Sequence, residues 1–377
     1  LNLMMSNSLA SNVDSEILHP AKNPDLKGQQ EAEQALLDAY NSSRLAHAWL
    51  LTGPKGIGKA TLAYRFARFL LVNGNGQDDG GGLFGAGLPP EMPENLYVAP
   101  EMPVFQRVSA GGHADLKSIE RTQEPKSGRL RSSIVIDDVR SIGSFLSLTS
   151  AEGGWRVVII DSADEMNRSS ANAVLKVLEE PPRKAILLLV SHNPGRLLPT
   201  IRSRCRNLTM KPLPKEDVVG LLLRQYPDIS DTDALELATL SDGSVGRALE
   251  LQEVGGLALY RELLSLLQTL PNLKISAVHD LAGRLGRAGQ DEAFQTFSEL
   301  IRGWLNRYIL TASRGGTGTT DEENALFQRL MTTTSLESWY EVWEKINHLL
   351  ERTDAVNLDK KQVVIGIFLA LQGASKP

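Results

Sequence analysis

Residues 46–71 read AHAWLLTGPKGIGKATLAYRFARFLL. The short apolar run AHAWLLTG ends in glycine, a helical pattern resumes at TLAYRFARFLL, and Gly53-Pro54-Lys55-Gly56-Ile57-Gly58-Lys59 between them fits GxxxxGK. A glycine loop between a strand and a helix lets backbone N–H groups approach phosphate oxygens, and its lysine neutralises the terminal phosphates. The next position, where a Ser or Thr hydroxyl would hold Mg²⁺, is Ala60. Thr61 comes one place too late and points about 100° away around the helix. Gly53, Gly56, Gly58, Lys59 and Thr61 therefore read as a degenerate phosphate site, a cradle without its metal-holding hydroxyl.

Outward from this loop, strands alternate with helices. Gly28–Tyr40 carries a helical apolar face, and IVIDDVRSIGSFLSL predicts a short strand at Ile134–Ile136 followed by a helix. WRVVIID predicts a buried strand ending on Asp161, and the helix Ser169–Glu180 is stopped by Pro181-Pro182. AILLLVS supplies another buried strand. This order predicts a parallel sheet covered on both faces. Asp161 would then lie at a strand's C-terminal end beside the phosphate crevice. A hydrolytic site needs a group there that orients water, for which a glutamate would follow the aspartate, and this chain has Ser162. Asp164 and Glu165 are expected to cap the next helix. Beyond Pro214 only helical patterns follow, so the fold class is α/β followed by all-α. The Gly/Pro-rich residues 73–103 read as a disordered insertion and residues 1–25 as a flexible tail.

The chain has 377 residues, 42% hydrophobic and 23% charged, enough to fill real cores. A net charge of -5 provides no overall basic field, so contact with DNA has to come from a local patch or through partners. One cysteine, Cys205, excludes a disulfide framework and a cysteine-paired zinc site and fits a reducing cytoplasm. The opening residues lack a signal-peptide pattern, and no stretch approaches the roughly 20 apolar residues of a membrane helix.

DSADEMNRSSANAVLKVLEEPP (161–182) followed by ILLLVSHNPGRLLPTIRSRC (186–205) closely resembles the clamp-loader branch of the AAA+ proteins. NPDLKGQQEAEQALLDAY (23–40), AGGHADL (110–116) and IDDVR (136–140) strengthen the likeness, which runs through most of residues 26–212. It implies an AAA+ domain over 26–212, a helical lid over 213–272 and a helical collar over 273–377. It also implies that Arg204 of Ser203-Arg204-Cys205 is an arginine finger, reaching the γ-phosphate held by the next subunit, with Cys205 interior.

The implied partners are delta and gamma or tau subunits in a hetero-pentamer that loads a sliding clamp onto primed DNA. No cofactor is required, ATP or ADP would bind without turnover, and no zinc is expected because the glycine-rich insertion replaces the zinc module. Sensor 1 falls at Ser191 or His192 and sensor 2 at Arg247. From the residues alone, Arg202, Arg204 and Arg206 equally suit a solvated basic face. Two other functions stay open: an ATPase rescued by Thr61 and Glu165, and a nucleic-acid-binding module built on Arg196–Arg206. Glu179 and Glu180 read as a helix terminus, and Trp339 and Trp343 as core or a subunit contact.

Overall fold

The computed structural model describes residues 18–74, 92–124, 130–315, 318–356 and 358–376. Two compact units divide the chain, Leu1–Leu213 and Pro214–Pro377.

In the first unit, five parallel strands lie side by side: β1 (Ala48–Thr52), β2 (Leu116–Ile119), β3 (Arg156–Ile160), β4 (Ala185–Ser191) and β5 (Arg206–Thr209), in the order β2-β3-β4-β1-β5. Strands β1, β3 and β4 are buried at every position, as unbroken apolar runs must be when helices cover both faces. Edge strand β5 exposes Arg206, Asn207 and Thr209, and edge strand β2 carries the polar Lys117 and Ser118 between its apolar ends, which discourages pairing with another chain. The helices are α1 (Gln30–Asn41), α2 (Lys59–Asn73), α3 (Pro103–Ser109), α4 (Ile136–Ser147), α5 (Arg168–Glu179) and the single-turn α6 (Pro199–Arg202). Val139 and Ile142 of α4 and Val174 and Leu178 of α5 pack with Val158 and Leu187 of the sheet.

Three expectations change. The strand expected at Ile134–Ile136 is a single parallel bridge from Ile134 to Met166, because the backbone turns helical at Ile136. Of the expected insertion 73–103, residues 75–91 lie outside the described residues; the part beyond it buries Leu96 and Val98 before α3 begins at Pro103. Of the expected tail 1–25, residues 1–17 lie outside the described residues. From Ala21 the chain is held: buried Arg68 donates to Ala21 O at 2.9 Å and Asn23 O at 3.0 Å, with its guanidinium 4.4 Å from the Phe105 ring centre.

AGGHADL earns its place by a polar knot. Asp115, 1% exposed, accepts from Ser150 Oγ at 2.9 Å and from the N–H groups of Ala151 (2.9 Å) and Glu152 (3.2 Å). It also faces the buried Arg156 guanidinium at 3.6 Å, and Arg156 in turn donates to Phe145 O and Thr149 O. The His113 ring accepts the Asp115 N–H. The loop before β2 is thereby tied to the loop before β3.

The second unit is helical: α7 (Lys215–Gln225), α8 (Asp231–Leu240), α9 (Val245–Glu253), α10 (Gly256–Leu267), α11 (Ile275–Leu285), α12 (Asp291–Arg314), α13 (Asp321–Thr333), α14 (Leu336–Val356) and α15 (Lys360–Ala374). Ser230, Ser244, Thr320 and Asp359 cap four of these with side-chain acceptors. Helix α10 packs on α8, α9 and α12, so the core runs through the lid–collar boundary expected at residue 272. Across that point Arg307 donates to the Tyr260 hydroxyl at 3.3 Å, and on its own side it meets fully buried Glu323 at 3.0 Å. Trp339 is buried against Trp304 and Tyr308, while Trp343 is only partly buried and bonds Asn306 through its indole N–H, so the two tryptophans have different surroundings.

Candidate functional site: a phosphate cradle and an arginine tip

The cradle follows β1. Gly53 has φ +142°, and a Cβ there would sit 2.5 Å from Met210 O, so the turn admits no side chain. Gly58, at φ +95°, opens α2. Lys59 is buried, with its ammonium donating to Gly53 O at 2.7 Å and to Pro54 O. Burial brings its pKa down to about 8, against the opposing pull of Asp161 and Asp164. Gln29, buried just before α1, donates to Ile57 O at 3.1 Å and Lys211 O at 2.9 Å, pinning the loop to the chain beyond β5. The pattern around Gln29 had suggested only a helix start, so this brace escaped the sequence reading.

The loop and Lys59 fit the phosphate tail of a nucleotide. They do not fit a catalytic Mg²⁺, because position 60 carries a methyl group and Thr61 is buried within α2. Nucleotide bound here is expected to show no Mg²⁺ dependence in a titration with and without the ion; tenfold tighter binding with Mg²⁺ would contradict this.

Beside the loop, burial and Glu120 raise the pKa of Asp161, with Lys59 opposing. Ser162 has a left-handed φ of +60° and lies 3.1 Å from His192 Nε2 through its hydroxyl. Burial, then Lys59, pushes His192 down to about 4, so its ring is neutral near pH 7. Neither residue supplies a carboxylate for water. The two acids downstream are engaged elsewhere. Burial pushes Asp164 up, but the N–H groups of His192 and Asn193, each at 3.0 Å, outweigh it and hold the carboxyl below its ordinary value. Glu165 pairs with Arg121 Nε at 2.7 Å. Asp164 thus ties down the turn after β4, where capping of its own following helix was expected; Asn167 caps that helix instead.

The arginine tip lies between α6 and β5. Ile201 and Cys205, four residues apart, turn into the core cluster, and burial pushes the Cys205 thiol up to about 12, consistent with an interior residue rather than a nucleophile. Ser203 Oγ and Arg204 Nη1 both donate to Thr200 O at 3.1 Å, and Arg204 Nη2 meets Glu179 Oε1 at 2.9 Å. Arg206 lies over Trp49, its guanidinium 4.8 Å from the ring. Arg204 and Arg206 therefore each have a local partner, while Arg202, Arg204 and Arg206 are all exposed, as a solvated basic face would also be.

Strand register separates the two halves of the site. Arg206 pairs with Trp49 near the start of β1, whereas the phosphate loop follows Thr52 at its end. Arg204 thus stands at the N-terminal edge of the sheet and Gly53–Lys59 and Asp161 at the C-terminal edge, a strand's length of about 15 Å apart. Arg247 sits in the first turn of α9 in the helical unit, its guanidinium near Gly303 of α12.

The sheet order, the phosphate loop after β1 and Asp161 just beyond β3 define an α/β domain of the P-loop class. Residues 92–214 match the family described as DNA polymerase III, delta subunit. The DNA polymerase III subunit delta' of Pseudomonas aeruginosa is 34% identical over 277 residues, 73% of this chain and 76% of the relative. That of Escherichia coli is 30% identical over 58% of each chain. A solved DNA polymerase III gamma subunit-related protein from Thermotoga maritima aligns over 90% of this chain and 100% of its own, with 19% identity and a TM-score of 0.37. The chain belongs to the DNA polymerase III subunit delta' family, and so to the clamp-loader machinery of that polymerase.

Proposed function

We propose that this subunit is a stator: its own phosphate site does not turn over ATP, and it donates Arg204 to the ATP site of a neighbouring gamma or tau subunit. The partners in this reading are delta and gamma or tau in a hetero-pentamer that loads a sliding clamp onto primed DNA in a reducing cytoplasm. One observation carries it. Arg204 and the chain's own phosphate loop occupy opposite edges of one sheet, so the cation cannot reach a phosphate in that loop, whereas an exposed tip can enter a partner's site. The cradle supports the same division of labour, since Ala60 removes the metal-holding hydroxyl, Ser162 replaces the water-orienting acid, and Asp164 and Glu165 are held by other groups.

ATP turnover by the assembled complex carrying Arg204→Ala tests this. It is expected to fall while assembly persists; unchanged turnover would overturn the proposal.

A further inference from the structure

Glu179 is the last residue of α5, where the helix dipole disfavours an anion, yet its carboxylate lies 2.9 Å from Arg204 Nη2. The guanidinium is further fixed by the bond from Nη1 to Thr200 O. A guanidinium has five N–H donors, so two bonds that hold it leave three for an incoming phosphate. A long arginine at 36% exposure would otherwise sample many rotamers, and ordering it only when the neighbour's nucleotide arrives would cost entropy at that step. The cation Arg204 also accounts for an acid at the wrong end of a helix.

We infer that Glu179 is a positioning residue that pre-orients Arg204 for catalysis in the neighbouring subunit. This rests on the finger reading of Arg204. Glu179 touches no nucleotide and acts only through the guanidinium. Its partner bond is partly exposed, so it orders the side chain without locking it, and a phosphate dianion can still draw the arginine outward.

The test is a double-mutant cycle in the full chain assembled with its partner subunits, comparing wild type, Glu179→Gln, Arg204→Ala and the double variant. Glu179→Gln is expected to lower kcat about 1.5- to 5-fold, the range of an exposed ion pair. KM for ATP should not change, and the deficit should shrink as added salt screens the pair in the wild type. In the Arg204→Ala background the Glu179→Gln effect should vanish. Normal kcat in Glu179→Gln with a deficit in Arg204→Ala would overturn the positioning role and leave the finger standing. An equal Glu179→Gln deficit in both backgrounds would likewise overturn it, showing that Glu179 acts elsewhere. No deficit in Arg204→Ala would overturn the finger, and the positioning role with it.

Discussion

Replacing Arg204 by alanine is expected to slow ATP hydrolysis at the neighbouring site it completes by about 10³-fold or more, the usual worth of an arginine finger. The side chain is half-exposed, and its bonds are to a backbone carbonyl and a half-exposed carboxylate, so truncation leaves the fold and the subunit's incorporation unchanged. A single-turnover assay on the reconstituted complex resolves the affected site even while other sites keep working, and gel filtration reports assembly. Lysine at 204 should not restore the rate, because a point charge cannot reproduce the planar fork of a guanidinium. A full single-turnover amplitude at wild-type rate would remove Arg204 from the reaction.

Asp115→Ala is expected to cost about 3–5 kcal/mol, because it strips a buried charge pair of one partner. Arg156 would be left buried without its carboxylate, and the Ser150 hydroxyl and the Ala151 and Glu152 N–H groups would lose their acceptor. Against a total stability of about 5–15 kcal/mol for a domain, that loss is large. Urea unfolding of the full chain measures it. Asp115→Asn, which keeps one acceptor oxygen, should fall between wild type and alanine. A midpoint unchanged in Asp115→Ala would show that the knot adds nothing to stability.

The parts of the fold most legible in the sequence are those governed by local chemistry. Strands β1, β3 and β4 are unbroken apolar runs, so period and length reveal them. The phosphate loop is visible because only glycine suits its turns and only lysine its charge. Edge strands were hidden: LKSI has a single buried side chain, Ile119, and RNLT begins inside the arginine cluster that reads as a basic face. Ile134 looks like strand because it is β-branched and buried, but one bridge to Met166 is all the ladder it makes.

At the candidate site, the substitutions Ala60 and Ser162 were readable because they break a spacing rule. The braces around them were not. Gln29 on Ile57 O, Ser162 on His192 and Glu179 on Arg204 join residues far apart in sequence, and polar side chains leave no periodic trace of a distant partner. The clamp on Ala21 and Asn23 was missed for the same reason, since the polar start of the chain gains its order from Arg68 on α2.

ATP turnover by the purified chain alone is the most direct measurement of whether the cradle lost its chemistry. Hydrolysis is expected to stay at background with and without Mg²⁺, and Lys59→Ala to change nothing. Sustained multiple turnover that disappears in Lys59→Ala would show a working ATPase and contradict the stator.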